Sequence, residues 1–416
     1  GAIIIDNDKA EFPRISAVSE GRAQVIQAGE IQSREIQLFW IDKDPKSVLF
    51  TLKEQLVNGG CAAVICNRIN RAQEVYDVVK ESFIDDMTEI ILFHSRFPYC
   101  WRKEIEDQVL SMFGKNAPNR PYRAIVIATQ VIEQSLDLDF DLMITDLAPV
   151  DLIIQRIGRL HRHVDYQSSN HRPEGLEIPK CFISSEYFES DESMPDFGSD
   201  AYIYEPYILL RKLLTLQDRN ILELPKETDF LIEQVYSMNQ LQPIFSDALF
   251  LQLAKLRDDM LKHYAESKNN ADNYLIPLSS ISFLGSLKSS FSDDIEGLSK
   301  KTVKTPTREI SPSISVVCLT KDDNGLHPLD SSQLISLEEP LTREQIVPCL
   351  KASLTLTNNR VVNYFLNDCG EPPECFRKSA ALRWHFPVVF EQNEFITEDF
   401  TLNLDRNRGI RVISHH

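Results

Sequence analysis

Five short runs of β-branched and small apolar residues, at 61–67, 89–94, 123–129, 142–147 and 180–184, alternate with helical stretches. This alternation constrains the fold more than any other feature. The intervening segments 70–81, 99–113 and 150–160 carry apolar residues at helical spacing, as with Ile105, Val109 and Met112, while charges occupy the opposite side. Strands separated by helices of this length predict an α/β fold, a parallel sheet with helices on both faces. Such sheets place ligands at the carboxyl ends of their strands, so chemistry is expected in the loops after Ile65, Phe93 and Ala128.

Beyond about residue 187 the pattern changes. Residues 189–200 are acidic and polar and read as a surface loop, followed by helical stretches at 207–216, 230–238 and 244–266. Ser-rich 279–304 has few large apolar residues and reads as a linker. Together 189–304 form a helical connector and mobile linker, and 305–416 a small mixed α/β domain. In that domain 313–319 alternates like a strand, 342–354 reads as a helix, and 383–390 reads as a strand interrupted by Pro387. No run of about 18 uncharged apolar residues is present, so no spanning helix is expected and no membrane partner. The eight cysteines contain no C-x-x-C pair and suggest reduced, buried thiols in a cytoplasmic protein.

The most informative run is 128–163, with Gln155-Arg156-Ile157-Gly158-Arg159-Leu160-His161-Arg162 at its centre. On a continuous helix Arg156, Arg159 and Arg162 share one side. Planar guanidinium groups that stay charged suit a triphosphate, whose oxygens need several hydrogen bonds at once. Upstream, Thr129 ends a buried strand where a hydroxyl and backbone amides can meet a phosphate, and Asp137 offers a carboxylate suited to a ribose hydroxyl. The net charge of −18 argues against holding nucleic acid by bulk charge. Over 90–163, however, nine basic residues balance nine acidic ones, which leaves room for a few aimed arginines. His161, His163 and His171 lack the spacing and partners of a metal site, and none is expected. Trp384-His385-Phe386 suits base stacking or a packed strand equally well.

The run Thr129…Ser135-Leu136-Asp137…Gln155-Arg156-x-Gly158-Arg159-x-x-Arg162 resembles motifs V and VI of superfamily 2 helicases. More narrowly, 128–163 resembles the second RecA-like domain of the CRISPR-associated helicase–nuclease of type I systems. Val64-Ile65-Cys66-Asn67 is similar to motif IV, and Phe93-His94-Ser95-Arg96-Phe97…Arg102 to the family's H-S-R-F segment. Segments 313–319 and 341–345 are similar to its carboxy-terminal domain. Ser135 stands where many related helicases have glycine, in keeping with this narrower family.

The resemblance implies a RecA-like sheet over 36–188, preceded at 1–35 by the lead-in from a missing first RecA-like domain. It implies that Arg159 and Arg162 reach the γ-phosphate of ATP held by that partner domain, with Gln155 and Arg156 near the nucleotide and Asp137 near its ribose. It places Thr129, His94, Arg96, Arg102 and Asn67 near a DNA strand, although His94 and Asn67 can equally be a packed residue and a strand terminator. The implied cofactors are ATP and Mg²⁺, bound mainly by the missing domain. The implied partners are single-stranded DNA, a guide-RNA surveillance complex, and the first RecA-like and nuclease domains of the same protein. The implied activity is 3′-to-5′ translocation feeding a nuclease, with Arg159→Ala abolishing ATPase while barely affecting the fold.

The sequence contains no G-x-x-x-x-G-K-[ST], no D-E-x-H and no His-Asp dipeptide. The expectation is therefore a carboxy-terminal half that alone neither hydrolyses ATP nor cuts DNA. Two other readings stay open: a fragment of a generic superfamily 2 RNA or repair-DNA helicase, and a non-catalytic binding subunit.

Overall fold

The structure, a computed structural model, describes residues 13–19, 22–27, 29, 32–84, 87–115, 117, 119–133, 136–163, 172–185, 197–238, 247–272 and 312–415. Ser135, His171, the acidic stretch 189–196 and the linker 279–304 lie outside the described residues.

A ribbon of β1 (Arg14–Ser19) and β2 (Arg22–Gln27) precedes a seven-stranded sheet. Its strands are β3 (Arg34–Asp42), β4 (Gly60–Ile65), β5 (Glu89–Phe93), β6 (Arg123–Ala128), β7 (Leu142–Asp146), β8 (Lys180–Ser185) and β9 (Ile221–Leu224). They lie in the order β5-β6-β4-β7-β8-β3-β9, parallel except for the antiparallel edge strand β9. The central strands β4 and β7 are buried at every position, as continuous apolar runs covered on both faces must be. The crossovers carry α1 (Pro45–Gln55), α2 (Ile69–Ser82), α3 (Tyr99–Phe113) and α4 (Val150–Ile157). The start of α1 is fixed by Asp44, whose side chain accepts from the Lys46 amide, and by Pro45 in the first turn.

All five predicted strands form, but β3 and β9 were not foreseen. In β3 the sequence REIQLFWID mixes charged and apolar residues, because the strand lies next to the sheet edge and is only partly buried. Helices α5 (Pro206–Leu216), α6 (Thr228–Tyr236) and α7 (Asp247–Asp272) follow, each within a few residues of the predicted stretch.

The carboxy-terminal portion has β10 (Ile314–Asp322), β11 (Gly325–Pro328), α8 (Arg343–Lys351), β12 (Ser353–Leu356), β13 (His385–Phe390), β14 (Glu394–Ile396), β15 (Phe400–Asp405) and β16 (Gly409–Ser414). Strand β10 pairs antiparallel with β12 and β11 along its length and parallel with β13, while β14-β15-β16 is a separate antiparallel sheet. The predicted helix 342–354 stops at Lys351, and the alternating Ser-Leu-Thr-Leu after it becomes β12. Pro387 does not break β13. It sits opposite Val317 in a strand that, among the described residues, forms a ladder with β10 alone, so a missing N–H can face away from the sheet.

By contacts the chain forms two units, 1–245 together with 313–416, and 246–312. The divisions 36–188, 189–304 and 305–416 remain our proposal for its organisation by sequence. Among the described residues no helix is long and apolar enough to cross a membrane.

Candidate functional site

The Gln155–Arg162 run does not form one helical face. Helix α4 ends at Ile157, and the next amides turn back tightly, Arg159 N to Arg156 O and Leu160 N to Ile157 O, both at 2.9 Å. The chain then pairs with the approach to β7 (Phe140 N to Arg159 O 2.9 Å, His161 N to Phe140 O 3.0 Å), and His161 takes φ +45°. This bridge sends the three arginines to different neighbours.

Arg156 is fully buried, with Nε 2.7 Å from Glu133 Oε1 and Nη1 2.6 Å from the Thr145 hydroxyl. In this structure it braces the loop after β6 against β7 and is closed to a nucleotide, contrary to the sequence expectation. Arg159, 7% exposed, donates to the carbonyls of Ile132 at 2.9 Å and Glu133 at 2.5 Å. Burial, then the like charge of Arg162, lowers its pKa. The expectation that Arg159→Ala barely touches the fold therefore needs correction, since the side chain anchors two backbone carbonyls. Arg162 is the accessible member, with its side chain 42% exposed and Nε 2.6 Å from Asp137 Oδ1. The hydrogen bond from His163, and the Arg162 charge against a small opposing effect of burial, hold the Asp137 carboxyl below its ordinary range. Gln155 is exposed on α4. Gln155, Asp137 and Arg162 thus form the open part of the predicted nucleotide site.

Beneath them lies a set of buried residues the sequence reading did not single out. Asp139 accepts from the Arg162 amide at 2.6 Å, and Asp141 accepts from the Cys61 amide at 2.7 Å. Arg120 and Arg172 each bridge both carboxylates. Burial pushes the Asp141 pKa up, but the two guanidinium groups outweigh it and hold the carboxyl below its ordinary value. The available signal was the alternation Asp137-x-Asp139-x-Asp141, in which the second and third carboxylates had no sequence-local partner.

The residues expected near DNA also divide. Thr129 is 3% exposed, and its backbone bonds Phe93 O and the Ile132 amide. Asn67 is 4% exposed; its amide nitrogen donates to Asp146 Oδ2 at 2.9 Å and its side chain to Leu147 O at 2.7 Å. Asn67 therefore closes the turn after β4 and is shut off from solvent in this structure. His94, at 0% exposure, is stacked on Phe97 with ring centroids 4.6 Å apart. Its Nδ1 lies 3.1 Å from the Arg96 amide and its Nε2 3.1 Å from Arg408 O. One neutral tautomer, protonated at Nε2, serves both. The proposed DNA contact of His94 is corrected accordingly: no ring edge reaches solvent.

Arg96 and Arg102 remain open. They line a cleft of about 280 Å³ together with Tyr99 of α3 and Ser315, Thr355 and His385 of the carboxy-terminal portion. Among the described residues no carboxylate lines it. Arg96 Nη1 donates to Asn70 Oδ1 at 2.7 Å, and the Arg102 guanidinium lies 5.8 Å from the Tyr99 ring centroid. Burial, then the like charge of Arg68, lowers the Arg96 pKa to about 10, which keeps it charged at neutral pH. Arg68, exposed and not singled out from sequence, lies close enough for its charge to act on Arg96 without lining the cleft. Trp384 is 58% exposed while Phe386 is buried, so the Trp-His-Phe run contributes both to surface and to core.

Burial pushes the His94 pKa down to about 3 and that of His161 to about 4, from 6.5. The unfolded chain binds these protons first, so the stability contributed is complete above pH 6.5 and is lost as pH falls. Between pH 6.5 and 5.0 each histidine should remove about 2 kcal/mol. Urea melts at the two pH values check this: His94→Phe should lose about 2 kcal/mol less than the wild type over that interval. Equal losses would show that His94 is not held neutral.

Residues 58–165 match the family described as CRISPR-associated nuclease/helicase Cas3, C-terminal, and residues 308–410 match the Cas3 C-terminal domain. The chain belongs to the Cas3 family. A Cas3 nuclease/helicase of Streptococcus thermophilus is 29% identical over 98% of this chain and 44% of its own length. A crystal structure of a CRISPR-associated protein matches with TM-score 0.80 and 33% identity, over 97% of this chain and 44% of that one. T. fusca Cas3 solved with AMPPNP matches with TM-score 0.73 and 26% identity, over 94% and 44% of the two chains. A chain of a CRISPR RNA-guided surveillance complex in a pre-nicking state matches with TM-score 0.69 and 25% identity, over 93% and 45%. The chain therefore spans less than half the length of the Cas3 relatives it matches. Nucleotide binding is represented within the family by the AMPPNP, ADP and ATP structures of T. fusca Cas3.

Proposed function

We propose that this chain forms the carboxy-terminal part of an ATP-driven, single-stranded DNA translocase that acts in CRISPR type I interference. The carrying observation is the Arg96–Arg102 cleft, which among the described residues is lined by no carboxylate although the whole chain has a charge of −18. A polyanion gains there from two aimed guanidinium groups without facing the acidic remainder. Arg162 and Gln155 face a nucleotide seated on a first RecA-like domain, and Asp137 takes its ribose. The Arg159 contribution requires its guanidinium to leave two loop carbonyls as the domains close. Mg²⁺ is assigned to the nucleotide phosphates and the partner domain, as the family resemblance implies. ATP, when bound, supplies the phosphoryl-transfer energy; this chain's part is to sense its γ-phosphate and to grip the strand. Guide-RNA complex and nuclease partners follow from the family. Alone, the chain is expected to bind DNA without ATPase or nuclease activity.

Anisotropy of a fluorescein-labelled 20-nucleotide oligothymidylate, titrated with the chain at several salt concentrations, tests the strand assignment. The Arg96→Ala/Arg102→Ala variant should bind more weakly and lower the slope of log K against log salt by about 1.4, two phosphate contacts on a single strand. An unchanged affinity and slope would remove the cleft from the nucleic-acid path. A duplex RNA preferred over the oligothymidylate would favour the generic helicase reading.

A further inference from the structure

The Asp405–Gly409 turn between β15 and β16 reaches from the carboxy-terminal portion into the H-S-R-F segment. Asp405 Oδ1 accepts from the amides of Asn407 at 2.7 Å and Arg408 at 2.9 Å, which closes the turn. Gly409 follows with φ +67°, and a Cβ there would meet Arg96 O at 2.7 Å and His94 Cε1 at 2.9 Å. The backbone of Arg96 is held from both sides. Its carbonyl accepts from the Ile410 amide at 2.9 Å, and its own amide donates to His94, whose Nε2 donates in turn to Arg408 O. Buried Gln73 of α2 donates to the same Arg408 carbonyl at 2.7 Å, and Arg408 Nε bonds Asp77 Oδ1 at 2.6 Å. A docking contact serving only to join two domains has no need to fix the main chain of a residue whose guanidinium lines the cleft.

We propose that this turn and His94 are positioning elements that hold Arg96 for the nucleic-acid strand. The proposal rests on the reading of the cleft as a strand site. Two lost backbone restraints let the Arg96 side chain wander, and an aimed charge-assisted hydrogen bond becomes a diffuse attraction. The loss should appear in affinity through Arg96 and nowhere else.

The same labelled oligothymidylate and the full 416-residue chain are used for the test. Gly409→Val should bind about tenfold more weakly and lower the salt slope by about 0.7, matching Arg96→Ala. The double variant should bind no more weakly than Arg96→Ala alone. His94→Phe keeps the stacked ring but loses both nitrogens, and it carries the test if Gly409→Val does not fold. His94→Asn keeps an acceptor for the Arg96 amide and should recover part of the affinity. Wild-type binding and slope in both Gly409→Val and His94→Phe, or additive losses in the double variant, would overturn the proposal. If Arg96→Ala itself binds like the wild type, the strand reading fails separately. Amide exchange then decides the clamp: faster exchange at Arg96 in His94→Phe, with an unchanged melt, supports it, and unchanged exchange overturns it.

Discussion

Arg162→Ala should lower ATP turnover at least about a thousandfold when the chain is joined to a Cas3 amino-terminal half carrying a phosphate-binding loop. An arginine finger stabilises charge spread over the transferred phosphoryl oxygens, and its loss is felt in kcat far more than in binding. The structure makes Arg162 the cleaner test. Its side chain is 42% exposed and, among the described residues, pairs with the 49% exposed Asp137. An exposed pair of that kind contributes about 0–1 kcal/mol, so thermal stability should hardly move. The backbone of Arg162 is fixed through its amide by Asp139, which the substitution leaves intact. Arg162→Lys should not restore turnover, because a point charge lacks the planar fork. Turnover within tenfold of wild type in Arg162→Ala would rule out the finger role. Arg159→Ala should lose turnover as well, but with a lower melting temperature, since Ile132 O and Glu133 O lose their donor.

Arg156→Ala should cost about 3–5 kcal/mol of stability, the range for breaking a buried ion pair from one side. The substitution strands the Glu133 carboxylate, whose side chain is 10% exposed, and removes the donor to the Thr145 hydroxyl. Glu133→Gln in the Arg156→Ala background should then cost much less than it does alone, a coupling of about 0.5–3 kcal/mol. Denaturant unfolding of the four proteins of this cycle measures both quantities. A wild-type melt in Arg156→Ala, accompanied by a raised KM for ATP in the joined enzyme, would return Arg156 to the nucleotide site where the sequence had placed it.

These two arginines show why the site was only half legible. The Q-R-x-G-R-x-x-R spacing suggested triphosphate recognition, and the family resemblance, not the residues alone, put H-S-R-F near a strand. Direction was not legible. The three-residue spacing implies one face only while a helix continues, and α4 ends at Ile157, where residues 159–161 pair with Phe140. Likewise the β-branched runs announced β4 through β8, whereas β3, with its mixed polarity, was identifiable only once β8 lay beside it. His94 and Arg96 look equivalent in the sequence. Burial separates them, because the β15–β16 turn covers one and leaves the other lining a cleft.

The sequence by itself determined the parallel α/β sheet, the placement of polar loops at its carboxyl ends and the helicase-like motifs. Hydrophobic periodicity and local residue chemistry act over a few residues and survive any arrangement of the rest. Only the tertiary structure decided which arginines are struts and which are open, and that residues near 408 hold a loop near 96. Those outcomes depend on contacts between residues tens to hundreds of positions apart, where burial and a single shared carbonyl, and no local pattern, set the role of each side chain.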